Sequence, residues 1–371
     1  MRENWKPDLE QNGILVIDKE PGLTSFQVVA KVRRMLGLKR VGHCGTLDPF
    51  ATGVLPVAFG RGTAVIQYME PYRKTYQVLA RLGQATDTLD SEGEIREQIP
   101  EEEVWQRYCA ASLEQDFQGA LKRYTGDFRQ IPPMYSALKH KGKPLYAYAR
   151  AGQEIERPAR PVNVCLLDWR ILTLAEIEAW QQEQSSPLLA AIAEDAANAD
   201  SAARALYLYA EADVSKGTYI RSWIDDLGKE AGCPAYCVAL RRTACGPYQL
   251  NERSRTISIL ERDFCLRGED RSGSYRAWSD ANIIWGLDSA FPGMPRLELT
   301  GKIACDLIDG KRPEVDKSIY ARYVDQDLLA YYGDKFLALA NVKLSGDQSG
   351  AYLETQRVFC DKSSISISEG V

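Results

Sequence analysis

The chain has 371 residues, of which 45% are hydrophobic and 26% are charged, and this is typical of a globular protein of two or three domains with a core of its own. Such a length and composition exclude a disulfide-stabilised minidomain, a disordered tail and a fibrous repeat. With 46 basic and 51 acidic residues the net charge is −5, so a polyanionic partner would have to be bound by a local basic surface.

The sequence gives no sign of membrane attachment, export or a metal centre. No apolar run approaches the ~18 residues of a membrane span, and the first 13 residues contain no apolar segment typical of a secretory signal. The nine cysteines are scattered, and Cys233 and Cys237 lack the spacing of a zinc knuckle. Two histidines, His43 and His140, are too few for a multi-histidine metal site. We therefore expect a cytoplasmic protein with reduced thiols and no bound metal.

The first elements in chain order are a strand and a basic helix. Residues 13–17 (GILVI) predict a short buried strand, and Thr24 or Ser25 can cap the helix that follows. Apolar residues recur at the spacing of one buried helix face at Phe26, Val29, Val32 and Leu36. The outer face and exit of this helix carry five positive charges, at Lys31, Arg33, Arg34, Lys39 and Arg40. Such a run is typical of a phosphate-binding surface or of a solvated face.

Loops, strands and a second basic segment follow. Residues 41–63 predict a loop and a short strand, and residues 74–82 alternate as a strand does. A proline and three glutamates at 100–103 predict the start of a helix that reaches about residue 117. Residues 122–160 contain nine basic and three acidic residues with interleaved tyrosines, which indicates an RNA-binding surface or a second solvated face.

The rest of the chain predicts strands at 161–171, 206–214 and 235–244 and a helix at 218–231. Residues 172–205 are rich in Ala, Gln and Glu, which predicts an inserted helical or mobile arm. We expect residues 251–292 to be irregular. From about residue 295, short strands with glycine turns predict a small β-rich module.

The strongest candidate for chemistry is GHCGTLDP, residues 42–49. Pro49 biases Asp48 away from the helical region, and the glycines permit unusual backbone around it. A carboxylate held in this way can act as a nucleophile or as a base. The alternative is that Asp48 only begins a turn ahead of Pro49.

Arginines and a tyrosine in three further segments are candidates. In SKGTYIR, Arg221 could pair with a carboxylate and hold it ionised, or it could be a surface arginine of an ordinary helix. In LRR, Arg241 and Arg242 are compatible with phosphate binding or with a solvated strand edge. In KTYQV, Tyr76 taken alone is an inward-facing strand aromatic.

Five segments follow one another in one order: GHCGTLDPFATGVLPV, KTYQVLARLGQATDTLDSEG, PPMYSALKHKGKPLYAYARAG, SKGTYIRSWIDDLG and LRRTACGPY. Together they resemble the TruB family of tRNA pseudouridine synthases, which make pseudouridine at position 55 in the tRNA T-loop. The resemblance covers residues from about 13 to 250 apart from the arm at 172–205. The tail from about 295, with LTGKIACDLIDGKRP and GDKFLALANV, is more weakly similar to the PUA-like module that such synthases often carry.

The resemblance implies catalytic roles for individual residues. Asp48 corresponds to the catalytic aspartate, Arg221 to the arginine that pairs with it, and Tyr76 to the tyrosine that stacks on the target base. Lys19, in the DKEPG turn, corresponds to a lysine near the active-site cleft, which we expect to support the site rather than to react. Covalent attack by Asp48 and proton abstraction at the sugar both remain open.

The resemblance also implies residues that bind the RNA. Tyr219 and Leu240 correspond to residues that line the uracil pocket, and His43 to the histidine that contacts the RNA and helps to extract the base. The basic segments would contact tRNA phosphates through Arg33, Arg34, Lys39, Arg40, Lys139, Lys141 and Lys143. Two residues depart from the family pattern: Cys44 stands where threonine is usual and Phe50 where leucine is usual. We expect these to alter packing without loss of activity.

The implied fold is α+β. A catalytic domain at 1–250 has a mixed, mostly antiparallel central sheet flanked by helices, with an RNA-gripping insertion at 122–160 and the extra arm at 172–205. A connecting segment at 251–294 leads to a PUA-like RNA-binding domain at 295–371. The reaction gains and loses no atoms, so no cofactor is expected. The expected partner is the T-arm of tRNA, and we expect a monomer.

Three alternatives compete with this assignment, and the first belongs to another class of function. A non-catalytic RNA-binding or tRNA-folding protein would not need Asp48, Tyr76 and Arg221 as a set. A synthase steered by a guide RNA within a larger particle is less favoured because the chain lacks long lysine-rich tails. A metal or redox site built from the cysteines is disfavoured by their scattered spacing.

Overall fold

The computed structural model of the chain describes residues 11–184, 204–323, 326–345 and 350–360. Most of the arm predicted at 172–205 lies outside these residues. No helix within the described ranges is long and apolar enough to cross a membrane.

The strands of the described chain are short or of medium length and alternate with helices. In chain order they are β1 (Gly13–Lys19), β2 (Val41–His43), β3 (Thr52–Phe59), β4 (Lys74–Leu82), β5 (Gln84–Thr86), β6 (Ile95–Gln98), β7 (Gly126–Gln130), β8 (Lys139–His140), β9 (Lys143–Pro144), β10 (Arg160–Thr173), β11 (Leu206–Val214), β12 (Ala235–Cys245), β13 (Tyr248–Gln249), β14 (Ile284–Trp285), β15 (Arg296–Glu298), β16 (Glu314–Val315), β17 (Asp327–Tyr332), β18 (Lys335–Leu344) and β19 (Ala351–Val358).

The α-helices of the same ranges are α1 (Ser25–Leu36), α2 (Ile66–Met69), α3 (Glu101–Cys109), α4 (Ser112–Arg123), α5 (Leu145–Ala149), α6 (Leu174–Gln184), α7 (Ile220–Glu230), α8 (Ile257–Leu266), α9 (Arg271–Asp280), α10 (Gly301–Ile308) and α11 (Lys317–Tyr323). Two 3-10 helices, Gly60–Val65 and Leu287–Ala290, complete the described elements.

The main sheet confirms the expected α+β fold. Its strand order is β14–β1–β3–β12–β4–β11–β10–β7, with β2 beside β3 and β13 beside β12. Among these described strands β12 runs parallel to β3 and the other neighbours are antiparallel. At the parallel contact a Cβ on Gly53 would clash with the backbone oxygen of Arg242, which explains the glycine there. Helices α1, α4, α7 and α8 share one apolar cluster with the sheet.

Helix α1 has a defined cap at each end. Thr24 Oγ1 accepts from the backbone N–H of Gln27 at 3.1 Å, and Gln27 Oε1 accepts from the N–H of Thr24 at 2.8 Å, a capping box. Gly37 ends the helix at a φ of 65°.

The predicted buried face of α1 was wrong at Phe26. This residue is 68% exposed, because at about 100° per residue it lies about 120° from the centre of the buried face. That face is formed by Val28, Val29, Val32, Met35 and Leu36.

Two predictions for helical segments need correction. The helix expected to run from 100 to about 117 is divided into α3 and α4, with Ala111 between them at a φ of 57°. Residues 251–292, expected to be irregular, form α8 and α9, and β14 pairs with β1. Thr256 and Asp270 cap these two helices by accepting from backbone N–H groups.

The C-terminal residues form the expected small β-rich unit. Its sheet has the order β15–β17–β18–β19–β16 in the described chain and packs against α10 and α11. Ile14 and Val16 of β1 share a buried cluster with Leu329, Leu339 and Phe359 of this unit. The two sheets are therefore joined by a common apolar core.

Candidate active site

Asp48 lies on a loop that several buried groups hold in place. Ser25 Oγ accepts from the backbone N–H of Leu47 at 2.9 Å and donates to its carbonyl at 3.1 Å. The Nζ of Lys19, which is 1% exposed, donates to the carbonyls of Pro49 at 3.0 Å and Ala51 at 2.6 Å. The loop is thus fixed immediately on both sides of Asp48. Lys19 supports the loop and does not line the cavity into which Asp48 faces.

Arg221 connects Asp48 to a second carboxylate. Its Nε lies 2.9 Å from Asp48 Oδ2, and its Nη1 lies 2.9 Å from Asp90 Oδ2. The same guanidinium donates to the carbonyls of Thr88 at 2.8 Å and Tyr135 at 2.7 Å. The side chain of Arg221 is 5% exposed, and that of Asp48 is 33% exposed. The arginine is therefore enclosed by its hydrogen-bond partners, while one side of the aspartate stays open.

Asp90 is a site residue to which the sequence analysis assigned no role. It belongs to the quoted segment KTYQVLARLGQATDTLDSEG, where several acidic and hydroxyl residues look equivalent. Leu89 adopts a φ of 65°, an unusual conformation for a bulky residue that costs about 1–3 kcal/mol. The turn brings the carboxylate of Asp90 to Arg221, where Thr88 Oγ1 also donates to it at 2.6 Å.

The two arginines of LRR are buried and are held by partners within the fold. Arg242 is 1% exposed and donates through Nε to the carbonyl of Val54 at 2.7 Å and through Nη2 to that of Gly45 at 3.1 Å. Its Nη1 lies 3.4 Å from Tyr76 Oη. Arg241 is paired with Asp18 at 2.9 Å. The interpretation as a solvated strand edge is therefore wrong, whereas phosphate binding by the pair stays a prediction.

Tyr219 is held at the start of α7 by Gln130, another residue that the sequence analysis did not single out. The side-chain amide of Gln130 accepts from the N–H of Tyr219 at 2.8 Å and donates to its carbonyl at 3.1 Å. Gln130 is the last residue of β7 and is 2% exposed. The basic segment 122–160 is thereby attached to the helix that carries Arg221.

The candidate residues meet around one cavity of about 530 Å³. Asp48, Tyr76, Tyr219, Leu240 and His43 line it, as do Arg221, Arg242, Lys74 and residues 136–138 and 214–218. Its wall combines a carboxylate, flat aromatic rings and apolar side chains. Such a cavity can accept a planar polar ring beside an acidic group.

Burial shifts the pKa values of the groups around this cavity. It raises the pKa of Asp48, which Arg221 counteracts and the charge of Asp90 reinforces. Burial lowers the pKa of Lys19 to about 8. It also lowers the pKa of His43, and the charge of Arg242 acts in the same direction, so His43 is neutral near pH 7. Burial raises the pKa of Tyr76, which keeps its hydroxyl protonated.

The basic residues proposed to contact phosphates lie at two places outside the cavity. Lys139, Lys141 and Lys143 belong to the β8–β9 hairpin, directly after the cavity-lining residues 136–138. Around α1 the positive charge is partly neutralised, because Lys31 and Arg34 pair with Glu261 of α8 at 2.7 and 3.2 Å. Arg33 donates weakly to the Val41 carbonyl at 3.5 Å, and Lys39 and Arg40 are exposed after the helix.

The two departures from the family pattern fill apolar surroundings. Cys44 is 1% exposed and hydrogen-bonds to Cys245, which is buried in the same apolar cluster. This contact and burial raise the pKa of the Cys44 thiol. Phe50 packs on the main core from its edge.

Comparisons with known proteins show which family the chain resembles. The model of the TruB family pseudouridylate synthases (N-terminal domain) matches residues 33–186. A protein named tRNA pseudouridine synthase B in Chromohalobacter salexigens is 33% identical over 337 residues, covering 91% of this chain and 92% of the relative. Its namesake in Pseudomonas fluorescens is 38% identical over 338 residues, covering 90% and 93%.

Two solved structures share the fold. One is a Cbf5-Nop10-Gar1 complex, with a TM-score of 0.56, 21% identity and coverage of 98% of this chain and 92% of that chain. The other is an H/ACA RNP bound to a substrate RNA containing 2′-deoxyuridine, with a TM-score of 0.55, 19% identity and coverage of 94% and 85%. At these identities the likeness concerns the fold alone.

Proposed function

The chain belongs to the TruB family of pseudouridylate synthases, and we propose that it isomerises uridine to pseudouridine at position 55 in the T-loop of tRNA, with Asp48 as the catalytic carboxylate and without a cofactor. One observation carries the assignment of Asp48. Its carboxylate is paired with the buried Arg221 on one side and faces the cavity lined by Tyr76 on the other.

The reaction exchanges the N1–C1′ bond of uridine for a C5–C1′ bond. In one route Asp48 attacks C1′, uracil leaves as an anion and rotates, and C5 then displaces the carboxylate while the C5 proton is lost and N1 gains one. In the other route the carboxylate first removes a proton from the sugar. Both routes begin with an ionised Asp48. Arg221 opposes the effect of burial and favours the ionised form of Asp48.

The remaining cavity residues bind the extracted base in this proposal. Flipping a base out of a folded loop costs a few kcal/mol, and stacking on an aromatic ring returns roughly 1–3 kcal/mol. Tyr76 provides that ring, and Arg242 fixes its hydroxyl. Tyr219 and Leu240 complete the wall, and neutral His43 can donate a hydrogen bond to the RNA.

The T-arm then lies against the segment 122–160, whose Lys139, Lys141 and Lys143 contact phosphates near the cavity. Residues 1–250 act as the catalytic domain, 251–294 as a connection and 295–371 as an RNA-binding domain. We propose that the protein acts as a monomer in the cytoplasm.

Release of tritium from C5-labelled uridine in an unmodified tRNA transcript tests this function. We expect release by the wild type and none by Asp48→Ala or the isosteric Asp48→Asn, both with normal tRNA binding. A transcript with cytidine at position 55 should give no release. Binding of tRNA without release by the wild type would instead support a non-catalytic RNA-binding protein or the need for a guide RNA.

A further inference from the structure

A second, larger cavity lies between the main sheet and the C-terminal sheet. This groove has a volume of about 1460 Å³ and shares no lining residue with the cavity at Asp48. The turn after α1 and the 3-10 helix at 60–65 form one wall, and the turn after α10 together with β19 forms the other. Arg61 donates to the Cys360 carbonyl at 3.1 Å and joins the two walls.

The groove is strongly basic although the whole chain has a net charge of −5. One carboxylate, that of Glu354, lies among its described lining residues. Six cationic side chains line it: Lys39, Arg40, Arg61, Lys311, Arg312 and Arg357. A local excess of positive charge in a concave surface attracts a polyanion, even when the protein as a whole is acidic.

Part of this charge is available to a ligand. Lys39, Arg40 and Arg357 are exposed, and none of them forms an ion pair within the described part of the chain. Arg312 is paired with Glu354 at 2.6 Å and Lys311 with Asp306 at 2.6 Å, but both cations remain more than 60% exposed at their side chains. Exposed pairs of this kind are weak and can exchange their carboxylate for a phosphate.

The composition of the groove selects among polyanions. Its described lining contains no aromatic side chain, whereas protein interfaces rely on tyrosine and tryptophan anchors and unstacked bases need aromatic platforms. Exposed cations without aromatic platforms match the phosphates of stacked, double-helical RNA, which proteins recognise through its backbone.

The groove is connected to the candidate active site through a short strand. Arg40 directly precedes β2, and β2 ends at His43 in the Asp48 cavity. Three strand residues span about 10 Å. The segment 122–160 lines the Asp48 cavity but contributes no residue to the groove, so RNA in the groove lies beyond the T-arm contacts proposed above.

We propose that this groove binds the sugar–phosphate backbone of a double-helical part of the tRNA outside the T-arm, while the T-loop uridine occupies the cavity at Asp48. The identity of the RNA rests on the proposed function. The groove would act on substrate affinity, because its residues touch none of the reacting atoms.

The test compares two substrates, a full-length tRNA transcript and an isolated T-arm hairpin, both labelled with tritium at C5. The groove variant is Lys311→Glu with Arg357→Glu. The matched control is Lys302→Glu with Lys317→Glu, which makes the same change of charge at exposed positions of α10 and α11 outside the groove. Thermal unfolding checks that each protein is folded, and Lys311→Gln with Arg357→Gln replaces the groove variant if charge reversal prevents folding.

We expect the groove variant to raise KM for full-length tRNA about tenfold or more with kcat unchanged, and to lower the slope of log KM against log salt by up to about two. The groove variant should leave the KM for the hairpin unchanged, and the control variant should leave the KM for both substrates unchanged. An equal effect on both substrates, or none on either, would overturn the proposal. If the wild type releases no tritium, the proposed function fails, and filter binding of the same two RNAs still decides whether the groove binds tRNA outside the T-arm.

Discussion

Asp90 allows a test of how its surroundings control the charge and position of Asp48, the proposed catalytic carboxylate. Its side chain accepts from Arg221 Nη1 at 2.9 Å, from Thr88 Oγ1 at 2.6 Å and from the backbone N–H of Glu92 at 3.1 Å. Replacing Asp90 by asparagine preserves the volume and removes the negative charge. We expect this substitution to lower kcat and to shift its pH dependence.

The loss in kcat follows from the contact between Asp90 and Arg221. A hydrogen bond between charged groups contributes about 1.5–3 kcal/mol. If that energy positions Arg221 against Asp48, its loss raises the barrier by the same amount. At about 1.4 kcal/mol for each factor of ten, kcat falls roughly ten- to 150-fold.

The shift in pH dependence follows from the charge of Asp90. Burial raises the pKa of Asp48, Arg221 lowers it, and the negative charge of Asp90 raises it again. Because the proposed reaction needs an ionised Asp48, we expect kcat to decline on the acid side as Asp48 takes up a proton. Without the charge of Asp90 the pKa of Asp48 is lower, so the acid limb moves to lower pH.

Steady-state tritium release at saturating tRNA, followed from pH 5 to 8, measures both effects. Asp87→Asn is the matched control, because Asp87 is an exposed carboxylate of the same loop that accepts from the backbone N–H of Glu94. Full kcat together with an unmoved acid limb in Asp90→Asn would refute the reasoning. A fall in kcat without any shift of the limb would leave Asp90 with a positioning role alone.

Three further predictions concern the base, the loop and the RNA. Tyr76→Leu removes a stacking energy of about 1–3 kcal/mol and should therefore lower kcat/KM roughly five- to 150-fold. Tyr76→Phe retains the ring and should keep most of the activity. Equal losses in the two variants would contradict stacking. Lys19→Met should lower the melting temperature. The pKa of Lys19 is lowered to about 8 from 10.5, so between these pH values the folded chain binds fewer protons than the unfolded chain. The free energy of unfolding of the wild type, relative to that of Lys19→Met, should therefore increase from pH 8 to 10.5. Denaturant titrations at several pH values measure this difference. The affinity for tRNA should fall steeply with salt, and a flat dependence from 50 to about 200 mM in filter binding would contradict phosphate contacts.

Alternation of side chains predicted the strands of the main sheet well. The strands predicted at 74–82 and 206–214 are β4 and β11 without change of bounds, and 235–244 differs from β12 by one residue. These strands lie at the centre of the sheet, where a shift of one residue would expose a whole apolar face. Periodicity therefore carries much of the information about them.

Helices and buried charges were harder to predict for physical reasons. Helix α9 is mostly polar, and α8 exposes the apolar residues Ile259 and Leu266 in addition to burying one apolar face, which obscures its helical periodicity. The capping residues Thr256 and Asp270 resemble ordinary loop residues. The burial of Arg242 depends on carbonyl acceptors at Gly45 and Val54, about 190 residues earlier in the chain. Asp90 becomes a site residue only through Arg221, which lies 131 residues later. Such partners are set by the tertiary fold, and local patterns do not contain them.

The shared core between the two sheets determines which experiments can assign a role to the C-terminal unit. Ile14 and Val16 of β1 face the cluster shared with this unit, whereas Leu15 and Ile17 face the main core. The same strand ends at Lys19, whose Nζ holds the loop of Asp48. Deleting the C-terminal unit would expose one face of β1 and so loosen the support of the loop that carries Asp48. A truncated protein would then lose activity even if the unit made no contact with RNA. Point substitutions in the exposed groove leave this support in place. Their effects on two substrates therefore separate RNA binding from folding.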